Sequence, residues 1–405
     1  MTNELQQYCT AIEEYAKSSF RHCFREAKGK IRHPFIVPGS TYQYELWDWD
    51  SWLTDYALSE IADGQDITEY EYGCVLNFLE HQDEEGRIPI NITPDKSIFD
   101  LVPGKKDNIH KPCLAQHALF LSERTGTAEW LRDTFPSVEK FIGWYENNSR
   151  HESGLFFWTN DFAIGVDNDP CTFYRPDGSC GSILLNCLMY KEMLAVSKLA
   201  EMLGYVEKAS LWAEKAENLK AVIRDKCWDE RDGFYYSVDL NLTPVDPDRW
   251  LHSGAPRHWN TLLMRVDVWS GFLALWTGIA TDEEAERIVE HLTDTRTFWA
   301  NYGVRSLSRL EKMYLVRKSG NPSCWLGPIW GNVNYLVFEG LLRYGYRDLA
   351  KELAEKSVVM FGRDIIKCGE MHEYYDPDTG EGVHNQGFQS WNLLAFNFAK
   401  WLETN

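Results

Sequence analysis

The chain has 405 residues, with 41 Lys and Arg against 61 Asp and Glu, a formal net charge of −20. That balance excludes a nucleic-acid partner, which needs a basic footprint to neutralise phosphates. No apolar run approaches the ~18 residues of a membrane span, and residues 1–7 have neither a basic nor an apolar leader region. A cytoplasmic protein without membrane contact is therefore expected.

Apolar residues recur at helical spacing over 4–28, 49–63, 67–82, 111–125, 136–149, 179–203, 205–227, 267–279, 282–293, 328–344, 346–367 and 387–403. Strand alternation is almost absent, so the expected fold class is all-α. Links leaving the even-numbered segments are mostly short and marked by glycine, as in Asp63-Gly64-Gln65, Thr125-Gly126-Thr127, Leu203-Gly204-Tyr205 and Tyr344-Gly345-Tyr346. Glycine there suits the left-handed residue that ends one helix before its antiparallel partner. After Ile279 the link is equally short, and Thr281 is placed to cap Asp282-Glu283-Glu284.

Links entering the even-numbered segments are long: 29–48, 83–110, 150–178, 228–266, 294–327 and 368–386. Long loops in a compact fold are usually functional. Helical hairpins with short turns at one end and long loops at the other predict an (α/α)6 toroid. The even helices would form its inner ring, and the loops of one face its active-site pocket. No linker or low-complexity tract divides the chain, so a single domain over 1–405 is expected.

The ten cysteines show no metal-binding spacing. Cys74 and Cys187 fall within helical patterns, so buried free thiols are expected. In a cytoplasmic protein Asn91-Ile92-Thr93 and Asn241-Leu242-Thr243 are chance sequons. No cofactor or metal is implied, since a Gly-rich phosphate loop, His-Glu-x-x-His and a calcium loop are all missing. The acidic 376–381 segment reads as a solvated turn.

Of the 17 tryptophans, Trp47, Trp49, Trp158, Trp250, Trp259, Trp299, Trp325, Trp330 and Trp391 lie in the long links or at the helix starts they feed. Trp144, Trp212 and Trp276 instead fit helical core faces. Aromatic faces among a few polar groups suit a sugar, whose rings have apolar faces and hydroxylated rims. A single loop tryptophan is as readily a plug between loops.

Two acidic clusters share these loops: Gly165-Val166-Asp167-Asn168-Asp169-Pro170 and Glu370-Met371-His372-Glu373-Tyr374-Tyr375-Asp376-Pro377. Glycoside hydrolysis needs one protonated carboxyl for the leaving oxygen and one ionised carboxyl to activate water. A loop Asp is nonetheless a turn former or cap in about nine cases of ten, so composition alone selects no pair.

Sequence resemblance does select one. Val37-Pro38-Gly39-Ser40-Thr41-Tyr42-Gln43-Tyr44-Glu45-Leu46-Trp47-Asp48-Trp49-Asp50-Ser51-Trp52 resembles the first signature of trehalases and of glycoside hydrolase family 63. The cluster around Asp167 is similar to the family's Gly-x-Asp-Asn-x-Pro motif. Tyr302-Gly303-Val304-Arg305-Ser306-Leu307-Ser308 and the stretch from Asn321-Pro322-Ser323-Cys324-Trp325 to Trp330-Gly331-Asn332-Val333-Asn334-Tyr335 resemble family 63 more than trehalase. Glu373-Tyr374-Tyr375-Asp376-Pro377-Asp378-Thr379-Gly380 resembles the Glu-x-Tyr-x-Pro-x-Thr-Gly segment, and Gln386-Gly387-Phe388-Gln389-Ser390-Trp391 follows it, as in the family.

The resemblance implies an (α/α)6 barrel and an inverting α-glycosidase, with Asp167 as general acid and Glu373 as general base, roughly 6.5–9.5 Å apart. It implies that Asp50 grips the terminal sugar beside Trp47 and Trp49, with Trp325, Trp330 and Trp391 as further substrate contacts. Gly39-Ser40-Thr41-Tyr42 stands where trehalases have Gly-Gly-Arg-Phe, which disfavours trehalose. The compact build resembles the bacterial mannosylglycerate and glucosylglycerate hydrolases, so a small α-mannoside or α-glucoside of glycerate is the expected substrate. Disaccharides of the kojibiose, nigerose or trehalose type are the alternative. Arg175 is the candidate partner for a substrate carboxylate, set against a loop-stapling role. Gln116, near the start of the fourth segment, and His81, closing the third, are weaker candidates. Two other readings fit such a barrel: a sugar epimerase using loop histidines (His252, His258, His372, His384), and a sugar-binding protein without catalysis.

Overall fold

Helices dominate the chain, as the apolar spacing predicts. The computed structural model describes residues 2–98, 109–173, 175–242, 246, 248–254, 259–317 and 323–405. Among these, twelve α-helices form: α1 (Asn3–Ser19), α2 (Asp48–Ile61), α3 (Thr68–Glu80), α4 (Leu114–Thr125), α5 (Phe135–Asn148), α6 (Ile183–Met202), α7 (Val206–Cys227), α8 (Leu273–Thr277), α9 (Asp282–Thr293), α10 (Gly331–Arg343), α11 (Arg347–Cys368) and α12 (Ala395–Thr404). His258, Thr243 of the second sequon and Asn321-Pro322 lie outside the described residues.

Three expected helices are shortened. The first stops at Ser19 because Phe20–Cys23 tightens into a 3-10 turn and Phe24–Arg25 then pairs with Phe35–Ile36. Segment 267–279 enters α8 through the 3-10 turn Trp269–Phe272. The last begins at Ala395, not at 387, after the 3-10 turn Ser390–Leu394. There the backbone N–H groups of Gln389 and Ser390 both donate to Pro38 O, folding the chain onto the loop before α2.

The short turns behave as glycine chemistry requires. Gly126 ends α4 at φ +77° and Gly278 ends α8 at φ +74°, a region that is cheap without a Cβ. Thr281 forms a complete capping box: Glu284 N donates to its hydroxyl at 3.1 Å, and Thr281 N donates to Glu284 Oε2 at 2.8 Å. Thr281→Ala is expected to lower stability by about 1 kcal/mol, measured by urea unfolding.

The even helices contact one another in chain order: α2 with α4, α4 with α6, α6 with α8 and α8 with α10. Helix α10 then meets the Ser390–Leu394 turn, which packs back on α2 together with α12. Outside them, α3 packs on α2 and α4, α5 and α7 on α6, α11 on α10 and α12, and α1 on α11 and α12. Trp144, Trp212 and Trp276 are buried, as expected for helical core faces. None of the ten cysteines, all among the described residues, is in a disulfide, and all but Cys368 are buried. No described helix is long and apolar enough to cross a membrane.

Short antiparallel ladders within the long links hold the helix starts. Leu46–Trp47 pairs with Asn91–Ile92 just before α2, and Ile329–Trp330 pairs with Tyr374–Tyr375 just before α10. The second ladder adds Gly382–His384 and so fixes the strand next to Glu373.

Candidate active site

Loops from different parts of the chain converge on a cavity of about 100 Å³. That is well below the ~300–1,000 Å³ of sites for drug-sized ligands, so its size suits one small ring. Asp167, Glu373 and Asp50 line it, with Trp47, Trp49, Trp325, Trp330 and Trp391 as walls. Tyr42, Phe388, Pro38, Lys111, Gly165 and Ser323 complete the lining.

The aromatic wall is continuous. Trp325 stacks on Trp330 with ring centres 3.9 Å apart and planes 6° apart. Trp49 reaches both Trp325 (5.7 Å) and the edge of Trp391 (5.5 Å). Trp330 is oriented by its indole N–H, which donates to Cys324 O at 3.0 Å. Such faces stack on the apolar side of a pyranose and exclude water.

Asp50 sits in the first turn of α2, buried, and accepts a hydrogen bond from the Ser390 hydroxyl at 2.9 Å. Burial, and then the neighbouring Asp48, push its carboxyl well above the usual range. Beneath it, Lys111 Nζ donates to both oxygens of Asp48 at 2.8 and 3.0 Å and lies 4.6 Å from the Trp49 ring centre. Both charged side chains are wholly buried. This ion pair joins the start of α2 to the residues leading into α4. It also packs on the Asp167 loop, since a Cβ on Gly165 would lie 2.9 Å from Lys111 Nζ.

Asp167 lies in a turn held from two sides. Asn168 N donates to Asp161 Oδ2 at 3.2 Å, and the Asn168 side chain bonds Ser323 O (3.2 Å) and Trp325 N (3.1 Å). Asp169 is buried and accepts from the Thr172 hydroxyl at 2.8 Å. Burial raises Asp161 to about 7 and Asp169 to about 6, and for Asp161 the charges of Asp167 and Asp169 add to the rise.

Glu373 faces these groups from the other side. Its N–H donates to His384 O at 2.9 Å, and Asn385 Nδ2 donates to its Oε2 at 2.9 Å. Burial raises the carboxyl to about 7; the Asn385 hydrogen bond opposes this and the Asp167 charge adds to it. Behind it Asp364 accepts from His372 N, His372 Nδ1 and the Tyr375 hydroxyl at 3.1, 2.8 and 2.8 Å. Asp364, Cys368 and His372 have the side chains of a metal site, but those donors account for the grouping without an ion. Farther out, Arg305 Nη2 donates to Asp378 at 3.1 Å, tying two motif segments together.

Of the residues expected to touch substrate, two lie away from this cavity. Gln116 is turned into the helix packing, its Nε2 donating to Pro112 O (2.7 Å) and Leu188 O (3.2 Å), and it borders a separate cavity with Tyr56 and Lys191. Arg175 is drawn to Asp239 at 2.7 Å and staples its turn to strand Val238–Asp239. His81 bonds Asn77 O at 2.7 Å within its own helix end. Among the loop tryptophans, Trp158 and Trp299 are buried as plugs, whereas Trp250 and Trp259 are largely exposed.

Lys111, Tyr42, Phe388 and Asn385 were not singled out in the sequence. Tyr42 and Phe388 lie inside the motifs already quoted. Lys111 carried one usable signal, a charge just before Pro112 at the start of a helical segment.

The chain is similar to known proteins in sequence and in fold. Residues 42–391 match the family model of the mannosylglycerate hydrolase MGH1-like glycoside hydrolase domain. Mannosylglycerate hydrolase MGH1 of Selaginella moellendorffii is 34% identical, over 88% of this chain and 80% of its own length. Mannosylglycerate hydrolase of Rubrobacter radiotolerans is 28% identical over 55% of this chain, and only 43% of that protein is spanned. Several relatives are thus matched over about half their length or less. In fold, the chain resembles a GH63 mannosylglycerate hydrolase from Thermus thermophilus in complex with Tris and D-glycerate, with a TM-score of 0.70 and 21% identity over 96% of this chain and 100% of that one. With the family model spanning most of its length, the chain belongs to the mannosylglycerate hydrolase MGH1-like glycoside hydrolases, within family 63 and related to the trehalases.

Proposed function

We propose that this chain is an inverting α-glycosidase that removes a single hexose from a small α-mannoside or α-glucoside, mannosylglycerate or glucosylglycerate foremost. The observation that carries this reading is the meeting of Asp167, Glu373 and Asp50 in one small cavity walled by tryptophans. The ring of helix contacts supports an (α/α)6 toroid, formed as a single domain over 1–405.

In this reading Asp167 donates its proton to the glycosidic oxygen as the bond to the anomeric carbon breaks. Glu373 takes a proton from the water that attacks that carbon on the opposite face, so the configuration inverts. Asp50 accepts hydroxyl protons of the terminal sugar, and the tryptophan faces hold its ring. Arg175, held by Asp239, is no part of this reading's carboxylate recognition.

Proton NMR during turnover of mannosylglycerate, glucosylglycerate, trehalose, kojibiose and nigerose tests the reading. The expected result is early release of a β-configured hexose from a glycerate glycoside. Early release of the α-anomer would overturn inversion; cleavage confined to a disaccharide would overturn the substrate class. Binding of these glycosides without sugar release would favour a non-catalytic barrel.

A further inference from the structure

Among the described residues, five that are not glycine hold a left-handed backbone: Ser40, Asp63, Asn168, Asn385 and Ser390. This conformation is unfavourable for residues with a Cβ, and persists where the surroundings over-determine it. Asp63 lies in the exposed turn between α2 and α3. Three of the other four adjoin the cavity carboxyls, and Ser40 touches one of those three. Asn168 follows Asp167, Ser390 donates to Asp50, and Asn385 donates to Glu373.

Ser40 in turn engages Asn385. Its hydroxyl lies 2.5 Å from Asn385 Oδ1 and 2.7 Å from Gln386 O, and the Thr41 hydroxyl adds a second donor to Asn385 Oδ1 at 3.3 Å. An ionised Glu373 carboxylate can only accept, so the amide N–H₂ end of Asn385 faces its Oε2, 2.9 Å away. That leaves Oδ1 as acceptor for the Thr41 hydroxyl and for the Ser40 hydroxyl, whose one proton is shared with Gln386 O. The chain of bonds joins the loop before α2 to the loop after Glu373, beside the backbone bonds that Gln389 and Ser390 donate to Pro38 O.

We propose that Ser40, Thr41 and Asn385 are positioning residues that orient the Glu373 carboxylate, so that its remaining oxygen takes the proton of the attacking water. This rests on the assignment of Glu373 as the base. A hydrogen bond donated to the carboxylate favours its charged form, against burial and the Asp167 charge. Other titratable groups that interact with Glu373 are Asp50, Tyr42 and Tyr374. None of them is altered by the variants below.

Asn385→Gly and Ser40→Gly remove the polar group and also relieve the left-handed backbone, so neither is expected to lower the unfolding midpoint. In protein carrying ¹³C-labelled glutamate, the Glu373 carboxyl resonance is identified by its loss in Glu373→Gln. Its titration midpoint is expected to rise by about one pH unit in Asn385→Gly and by less in Ser40→Gly. The acidic limb of kcat/KM for mannosylglycerate should move upward with it, while KM changes little. An unmoved midpoint in a folded Asn385→Gly variant would overturn the relay and leave the base assignment standing. Full hydrolysis by Glu373→Gln would remove the base assignment, and the relay with it.

Discussion

Glu373→Gln is expected to lower glycoside hydrolysis by about 10²–10⁴-fold while making the folded protein more stable above neutral pH. The amide preserves size and cannot take a proton from water, so the chemical step is lost and sugar binding is kept. The stability gain follows from burial. Folding raises this carboxyl from an ordinary 4.5 to about 7, so between those values the folded state binds the extra proton. The corresponding stability is fully present below about pH 4.5 and is lost as pH rises through about 7. At pH 8 the wild-type enzyme bears the full cost of an ionised carboxylate in an aromatic pocket, on the order of 3 kcal/mol. Urea unfolding at pH 4.5 and pH 8 checks this: the variant should match the wild type at the lower pH and exceed it at the higher. Equal stabilities at pH 8 would refute the burial argument, whatever the activity. The same carboxyl sets the expected acidic limb of kcat/KM near pH 7, because the base must be ionised to act.

Lys111→Ala is the second large effect, and it falls on stability. The ammonium and the Asp48 carboxylate are both wholly buried and bonded twice, and Asp48 also accepts the Lys111 backbone N–H at 2.8 Å. Removing the cation leaves Asp48 charged and uncompensated in the interior, a loss of about 3–5 kcal/mol. The double variant Asp48→Leu with Lys111→Met is expected to recover much of that loss, since no charge is then stranded. Urea unfolding of the single and double variants reads the coupling directly. If Lys111→Ala unfolds within about 1 kcal/mol of the wild type, the pair is not holding α2 to the Asp167 loop. Activity should fall in both variants, because Trp49 loses the cation beside its ring and Gly165 loses the group it packs against.

Much of this was legible in the chain itself, for a local reason. Helix periodicity, glycine at left-handed turns and the Thr281 cap depend on residues within a few positions of one another. Those features located the helices and separated short links from long ones. The family resemblance likewise marked the carboxyls and the five tryptophans that line the cavity, most of them beside a helix start or a short ladder.

Partner choice was decided only in three dimensions. Arg175 had acidic candidates on many loops, and the fold brings it to Asp239 rather than to the cavity. Gln116 lies on a helix as expected, but the rotation of α4 about its axis aims it at Pro112 and Leu188. That rotation is fixed by packing against α6, where buried Glu192 accepts the N–H groups of Ala115 and Gln116. The start of α12 was displaced for a similar reason, because the residues before it fold onto Pro38. Asp48 with Lys111, and Ser40 with Asn385, pair across segments distant in sequence. Periodicity tells which residues are helical and which face is apolar; it carries no information on which distant polar group will be buried opposite, since that is set by how the whole chain closes around its core.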